Sequence, residues 1–173
     1  MKLPPLLYTT CTDTPLGSTR LAATGTALAG VWFVEGQRDT PDAQTLRGWV
    51  QSRQHPILRE AAAQLASYFA GQRTSFELPL DLSYGSAFQQ AVWRALLDIP
   101  LGDTLTYGTL AQRIGRPAAV RAVGTAVGAN PISVIVPCHR VLGANGALTG
   151  YGGGLDRKQR LLKLEGCSSM RVK

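Results

Sequence analysis

The sequence predicts two units in tandem: a small α/β domain, then a mostly α domain built around a helix-turn-helix. Three observations carry this. Short strand-like runs separated by glycine and proline turns crowd the first third of the chain, whereas helical periodicity dominates after residue 86. The charge divides at the same place. Residues 1–86 hold seven basic and seven acidic side chains, while residues 87–173 hold eleven basic and four acidic ones, so the whole net charge of +7 lies in the second half. Between them, Leu78-Pro79-Leu80-Asp81-Leu82-Ser83-Tyr84-Gly85 reads as a link. The expected division is a scaffold domain over 1–78, a linker over 79–85 and a second domain over 86–173. A chain of 173 residues, 45% hydrophobic and 17% charged, can bury such cores without disulfides or metal.

In order, Leu7 to Thr14 and Ser18 to Ala23 are predicted as strands joined by a Pro15-Leu16-Gly17 turn. After a turn at 24–26, the apolar run Ala27 to Val34 predicts a buried strand containing Val31, Trp32, Phe33 and Val34. Gly36 to Thr45 is polar and predicted as loop. Pro56 to Ala70 carries apolar residues at helical spacing (Ile57, Leu58, Ala61, Leu65, Tyr68, Phe69) and stops at Gly71. Ser86, three residues before Gln89, matches a capping box, and Phe88, Val92, Trp93, Leu96 and Leu97 form the apolar face of the helix it starts. Thr106 caps a helix from Tyr107 to Ile114 with Gly115 as its stop. Pro117 suits the first turn of a following helix that runs to about Gly128. Helix, tight glycine turn and helix in the basic half is a helix-turn-helix signal, and the small residues Gly124, Ala126, Gly128 and Ala129 keep the second helix slim. Val134-Ile135-Val136 reads as a buried strand-like run, and Leu155 to Glu165 as a last amphipathic helix ended by Gly166.

Several function classes are excluded early. No apolar run approaches the roughly 20 residues of a membrane helix, and Met1 to Leu7 is too short and too proline-broken for a secretory segment; a cytoplasmic protein is expected. Three scattered cysteines argue against a disulfide framework. Two histidines and no Cys-x-x-Cys pair argue against a metal site. The basic half makes nucleic acid the leading partner and a membrane surface a weaker one, although an arginine-rich surface can also be merely solvated.

Cys138 is the residue to explain. Cys11 and Cys167 read as small buried hydrophobes, the usual state of a free cysteine. Cys138 instead follows an apolar run and a rigid proline, and His139 and Arg140 come next. A thiol with a pKa of about 8.5 is a few per cent ionised at neutral pH, and a nearby cation or histidine base raises that fraction. Neighbours on an extended segment point opposite ways, so His139 need not touch the sulfur directly. Action through a water, with a carboxylate such as Glu165 orienting the ring, is one route open to it. From these residues alone a cysteine hydrolase fits as well as a transferase.

Pro137-Cys138-His139-Arg140-Val141, preceded by Arg121-Ala122-Val123-Gly124 and Asn130-Pro131, resembles the O6-alkylguanine-DNA alkyltransferases. The resemblance runs along the chain through Asp13-Thr14-Pro15-Leu16-Gly17, Thr106-Tyr107-Gly108-Thr109-Leu110-Ala111, Thr149-Gly150-Tyr151-Gly152-Gly153 and Leu161-Leu162-Lys163-Leu164-Glu165-Gly166. It implies a ribonuclease H-like first domain and a winged helix-turn-helix-like second one. It implies direct repair without a cofactor, in which Cys138 takes the alkyl group from O6-alkylguanine in double-stranded DNA irreversibly. O4-alkylthymine stays open as a second substrate.

By the same resemblance His139 is the base, Glu165 orients it, and Asn130 bridges the turn before the active-site segment. The target base must leave the stack. Arg121 would fill the space it vacates, and Tyr107 would contact the rotating nucleotide. Val141, Tyr151 and Gly152 would line the pocket with Tyr107, while Pro137 and Arg140 support it structurally. Some relatives carry serine where this chain has Gly152, which leaves alkyl-size preference open. Some also bind zinc in the first domain, but the ligand count predicts no metal here. A monomer off DNA is expected. The rival readings are a DNA-binding protein that senses alkylated bases without transfer, against which Cys138 weighs, and the hydrolase, which leaves Arg121 without a purpose.

Overall fold

The computed structural model describes Pro4 and residues 6–167. The chain folds as two units, one containing residues up to Tyr84 together with Pro131–Ile135, the other Gly85–Asn130 with Val136 onward. The second domain expected over 86–173 is therefore interrupted: five residues of it join the first unit.

The first unit holds β1 (Tyr8–Thr14), β2 (Gly17–Ala23), β3 (Leu28–Phe33), α1 (Ala43–Arg47), β4 (Val50–Gln51) and α2 (Pro56–Phe69). The sheet order is β3-β2-β1-β4, antiparallel except for the β1–β4 pair. Every residue of β3 is buried. Its free edge is covered from two places: Leu28 exchanges backbone hydrogen bonds with Pro79 and Asp81, and Val31 with Pro131 and Ser133. An exposed strand edge invites pairing with other chains, and this pairing removes it. It also explains why Pro79–Asp81 is sheet margin where a linker was expected, and why Pro131–Ser133 belongs to this unit. α2 lays Leu58, Ala61, Leu65 and Tyr68 on the sheet. Gly30 is required beside Trp32, whose indole fills the place a Cβ would take. That ring packs with Leu7, Ala22, Ala29 and Trp49.

Other expectations change here. Residues 36–45 are not all loop, because Asp42 accepts the Thr45 N–H at 2.7 Å and caps α1. Val34 is 47% exposed past the end of β3. Cys11 is exposed on β1, not buried.

The second unit holds α3 (Ala87–Leu97), β5 (Leu105–Thr106), α4 (Tyr107–Arg113), α5 (Val120–Gly128), β6 (Val141–Leu142) and α6 (Leu155–Leu164). The Ser86–Gln89 capping box forms in both directions, with Val92, Trp93 and Leu96 buried but Leu97 exposed. The Trp93 indole N–H donates to the Ala126 carbonyl at 2.8 Å, satisfying one of the orphan acceptors at the end of α5 and tying α3 to it. Pro117 stands in a turn three residues before α5 and not inside it, so Arg121 lies in the first helical turn. Among the described residues no helix is long and apolar enough to cross a membrane.

Candidate active site

Cys138 is buried, and the run Cys138–Arg140 is one 3-10 turn with Pro137 as its N-cap, where an extended segment was expected. The β-branched residues before it do not form a strand. Val134 to Val136 is a buried turn, and Val134 adopts φ 73°, a conformation costly for its side chain. Tertiary pairing of Pro131 and Ser133 with β3 overrides strand propensity here.

Asn130, just past α5, donates its side-chain amide to the Val136 carbonyl at 2.8 Å and to the Cys138 sulfur at 3.1 Å. The Cys138 N–H returns to the same Val136 carbonyl at 2.8 Å. One asparagine thus fixes the backbone of the approach and donates to the thiol.

Glu165 is the C-cap residue of α6. Gly166, at φ 74°, and Cys167 send their N–H groups back to Lys163 and Leu162, a Schellman closure that fixes where the glutamate points. Its carboxylate takes His139 Nε2 at 2.9 Å and a two-pronged contact from Arg140, Nε and Nη2 each at 2.8 Å. The third arginine arm donates to the Ile99 carbonyl. Burial alone would raise the Glu165 carboxyl, but the hydrogen bonds and charges of His139 and Arg140 hold it down at about 2. An ionised carboxylate can only accept, so His139 Nε2 carries the hydrogen and donates it. The buried Nδ1, which has no hydrogen-bond partner in the structure, is then the basic nitrogen. Burial lowers the His139 pKa despite Glu165, keeping the ring neutral at neutral pH.

The sulfur differs from the expectation of an activated thiolate. Burial pushes the Cys138 thiol up, and donation from Asn130, the charge of Lys158 and two backbone N–H groups only partly offset it. The Arg140 charge is spent on Glu165. The cation that acts on Cys138 is Lys158, which lies within the amphipathic helix predicted over Leu155 to Glu165 and whose residue type carries no mark of burial. It is fully buried, its amine donating to the carbonyls of Val141, Thr149 (2.7 Å) and Gly150 (3.4 Å), and burial brings its pKa down to about 8. The only forward signal was its spacing, three residues ahead of the buried Leu161.

Tyr107 opens α4 after the Thr106 cap, and its hydroxyl reaches the carbonyls of Thr149 and Gly150 at 3.3 and 3.2 Å. Burial raises its pKa, and the nearby Cys138 adds to that. The parallel β5–β6 pairing sets Leu105 opposite Val141, and so brings Tyr107, Val141 and Cys138 together. Tyr151 is buried in the same loop. A Cβ on Gly152 would meet only the Gly128 carbonyl, at 3.4 Å, so a serine fits there. Arg121 is exposed on α5 beside Ala122, Thr125 and Gly128. Among the described residues no three His, Cys, Asp or Glu side chains are grouped to hold a metal ion.

Residues 7–82 match the ribonuclease-like domain of 6-O-methylguanine DNA methyltransferase, and residues 87–167 match its DNA binding domain. The chain belongs to the 6-O-methylguanine DNA methyltransferase family. Its two domains are accordingly a ribonuclease-like α/β domain and a helical DNA-binding domain. A methylated-DNA--protein-cysteine methyltransferase of Mycolicibacterium paratuberculosis is 50% identical over 153 residues, covering 88% of each chain. One from Methanosarcina acetivorans is 48% identical over 162 residues, covering 92% of this chain and 99% of the relative. Among solved structures, Mycobacterium tuberculosis O6-methylguanine methyltransferase superposes with a TM-score of 0.83 at 45% identity and 95% coverage of both chains. Mycobacterium tuberculosis OGT in complex with DNA gives 0.80 at 46% identity, covering 95% and 94%. The second unit thus holds two hydrogen-bonded groups, Asn130 with Cys138 and Glu165 with His139 and Arg140, joined through the Cys138–Arg140 backbone. Tyr107, Val141 and the Thr149–Gly152 loop lie alongside, and Arg121 stands apart on the surface of α5.

Proposed function

We propose that this chain is a methylated-DNA--protein-cysteine methyltransferase that repairs O6-alkylguanine in duplex DNA by moving the alkyl group onto Cys138 Sγ. The carrying observation is the buried thiol with an amide donor at 3.1 Å, next to a histidine whose free nitrogen is basic. The C–O bond at guanine O6 breaks as the S–C bond forms. The thiol proton leaves through a water to His139 Nδ1. The purine takes a proton at N1 from solvent to become guanine while His139 returns its own to solvent, so that the net movement is one proton from sulfur to N1. Because burial favours the protonated form of Cys138, deprotonation accompanies alkyl approach. The Lys158 charge then steadies sulfur as negative charge develops. Freeing the cysteine again would require the neutral thioether to expel a thiolate, a poor leaving group, so each chain acts once.

The reactive carbon is inside the base stack, so the nucleotide is turned out into the space between Tyr107, Val141, Tyr151 and Gly152, and Arg121 enters the gap. The partner is double-stranded DNA, bound by a single copy of the chain. With excess O6-methylguanine duplex, repaired equivalents should plateau at one per chain. Cys138→Ser should bind the duplex and repair none of it. Continued turnover beyond one equivalent would contradict single use, and transfer by Cys138→Ser would remove the assignment of the acceptor.

A further inference from the structure

From Thr104 to Leu155 the chain contains no aspartate, glutamate or lysine, and its only charged residues are Arg113, Arg116, Arg121 and Arg140. Arg140 is buried and neutralised by Glu165. The other three are exposed, and among the described residues none of their side chains has a hydrogen bond or ion pair. Elsewhere in the unit arginines are engaged: Arg94 with Gln90 at 3.2 Å, and Arg157 with the Gly153 carbonyl at 2.9 Å.

Two of the three sit on one rigid feature. Arg113 is the last residue of α4, and Arg116 follows the turn. Gly115 at φ 68° sends its N–H to Gln112, and the Arg116 N–H returns to Ala111, each at 2.9 Å, which closes a Schellman motif. Both arginine backbones are therefore held relative to α4 before any partner arrives. A Cβ built on Gly115 meets nothing, so the space at the turn is open. The exposed face of α5 offers only Arg121 as a charge, the rest being Val120, Ala122, Thr125 and Gly128.

We infer that Arg113 and Arg116 form a phosphate clamp on the helix-turn-helix turn, which grips the DNA backbone independently of the lesion. This rests on the DNA-repair reading above and divides its labour: the turn supplies the sequence-independent electrostatic grip, and α5 brings Arg121 to the stack. A favourable contact of Arg113 with the α4 dipole would account for one arginine at a helix end but not for Arg116, which lies outside the helix.

The test is the salt dependence of binding to undamaged duplex, which needs no transfer. Each lost phosphate contact lowers the slope of log K against log salt by about 0.9, so R113Q/R116Q should lower it by about 1.8. R113K/R116K should restore it. R94Q, which removes a charge at the end of α3 in the same unit, should leave it unchanged. Transfer from free O6-methylguanine base should proceed in R113Q/R116Q at the wild-type rate, which also reports an intact fold. A wild-type slope in R113Q/R116Q, or an equal fall in R94Q, would overturn the clamp while leaving alkyl transfer standing. Wild-type protein with no salt-dependent duplex binding would overturn both.

Discussion

Glu165 serves two partners at once, orienting His139 and neutralising buried Arg140. Removing its charge strands the arginine in a dry site, and breaking a buried pair from one side costs about 3–5 kcal/mol. Glu165→Gln should therefore unfold at markedly lower denaturant and transfer methyl groups more slowly; wild-type stability would mean the pair is not structural. The pH dependence has a definite sign. The carboxyl is held at about 2 in the folded protein against an ordinary 4.5. Its contribution is complete above about 4.5 and is lost as pH falls toward 2. Denaturation midpoints between pH 5 and 2 should fall in the wild type and fall less in Glu165→Gln. His139→Gln comes near the imidazole in size, keeps an amide N–H for Glu165 and loses the base. Transfer should slow by about 100-fold or more, as for loss of a general base, with duplex affinity unchanged. A rate within a factor of two of wild type would exclude His139 as base.

At the scale of elements, the ends of α5 and α6 place the chemistry. Asn130→Ala would leave the Val136 carbonyl with the Cys138 N–H alone and the thiol without its amide, costing about 0.5–1.5 kcal/mol and slowing transfer. Unfolding curves and single-turnover rates measured together check this. Arg121→Ala should slow repair in duplex DNA far more than dealkylation of the free base, and equal effects would remove the stack-filling role. Much of this scaffolding was legible beforehand. The Ser86–Gln89 box, the Thr106 cap and the glycine stops after α2, α4 and α6 are local chemistry, which short sequence windows carry. What was not legible depends on distant partners. Val134–Val136 reads as a strand because β-branched residues favour strands, yet pairing of its neighbours with β3 folds it into a turn. Lys158 is one polar position of an amphipathic helix in the sequence, and only the carbonyls of Val141, Thr149 and Gly150 around its amine account for its burial. α1 is short and rests on one aspartate cap within a polar run.

For the whole molecule, the neutral first unit and the basic second one suit a scaffold joined to a DNA reader. Pro131–Ile135 groups with the first unit, whereas Asn130 and Cys138 on either side of it belong to the second. The chain offers three free thiols: Cys138, buried in the site, Cys167, also buried, and Cys11, exposed on β1. A non-selective alkylating reagent would favour Cys11 by access alone. Repair chemistry places the group on Cys138 against that bias. The most direct measurement is peptide mapping by mass spectrometry after reaction with O6-methylguanine duplex. One added methyl on the peptide bearing Cys138, with Cys11 and Cys167 unmodified, is the predicted result; a methyl on either other cysteine, or none while the duplex is repaired, would contradict it.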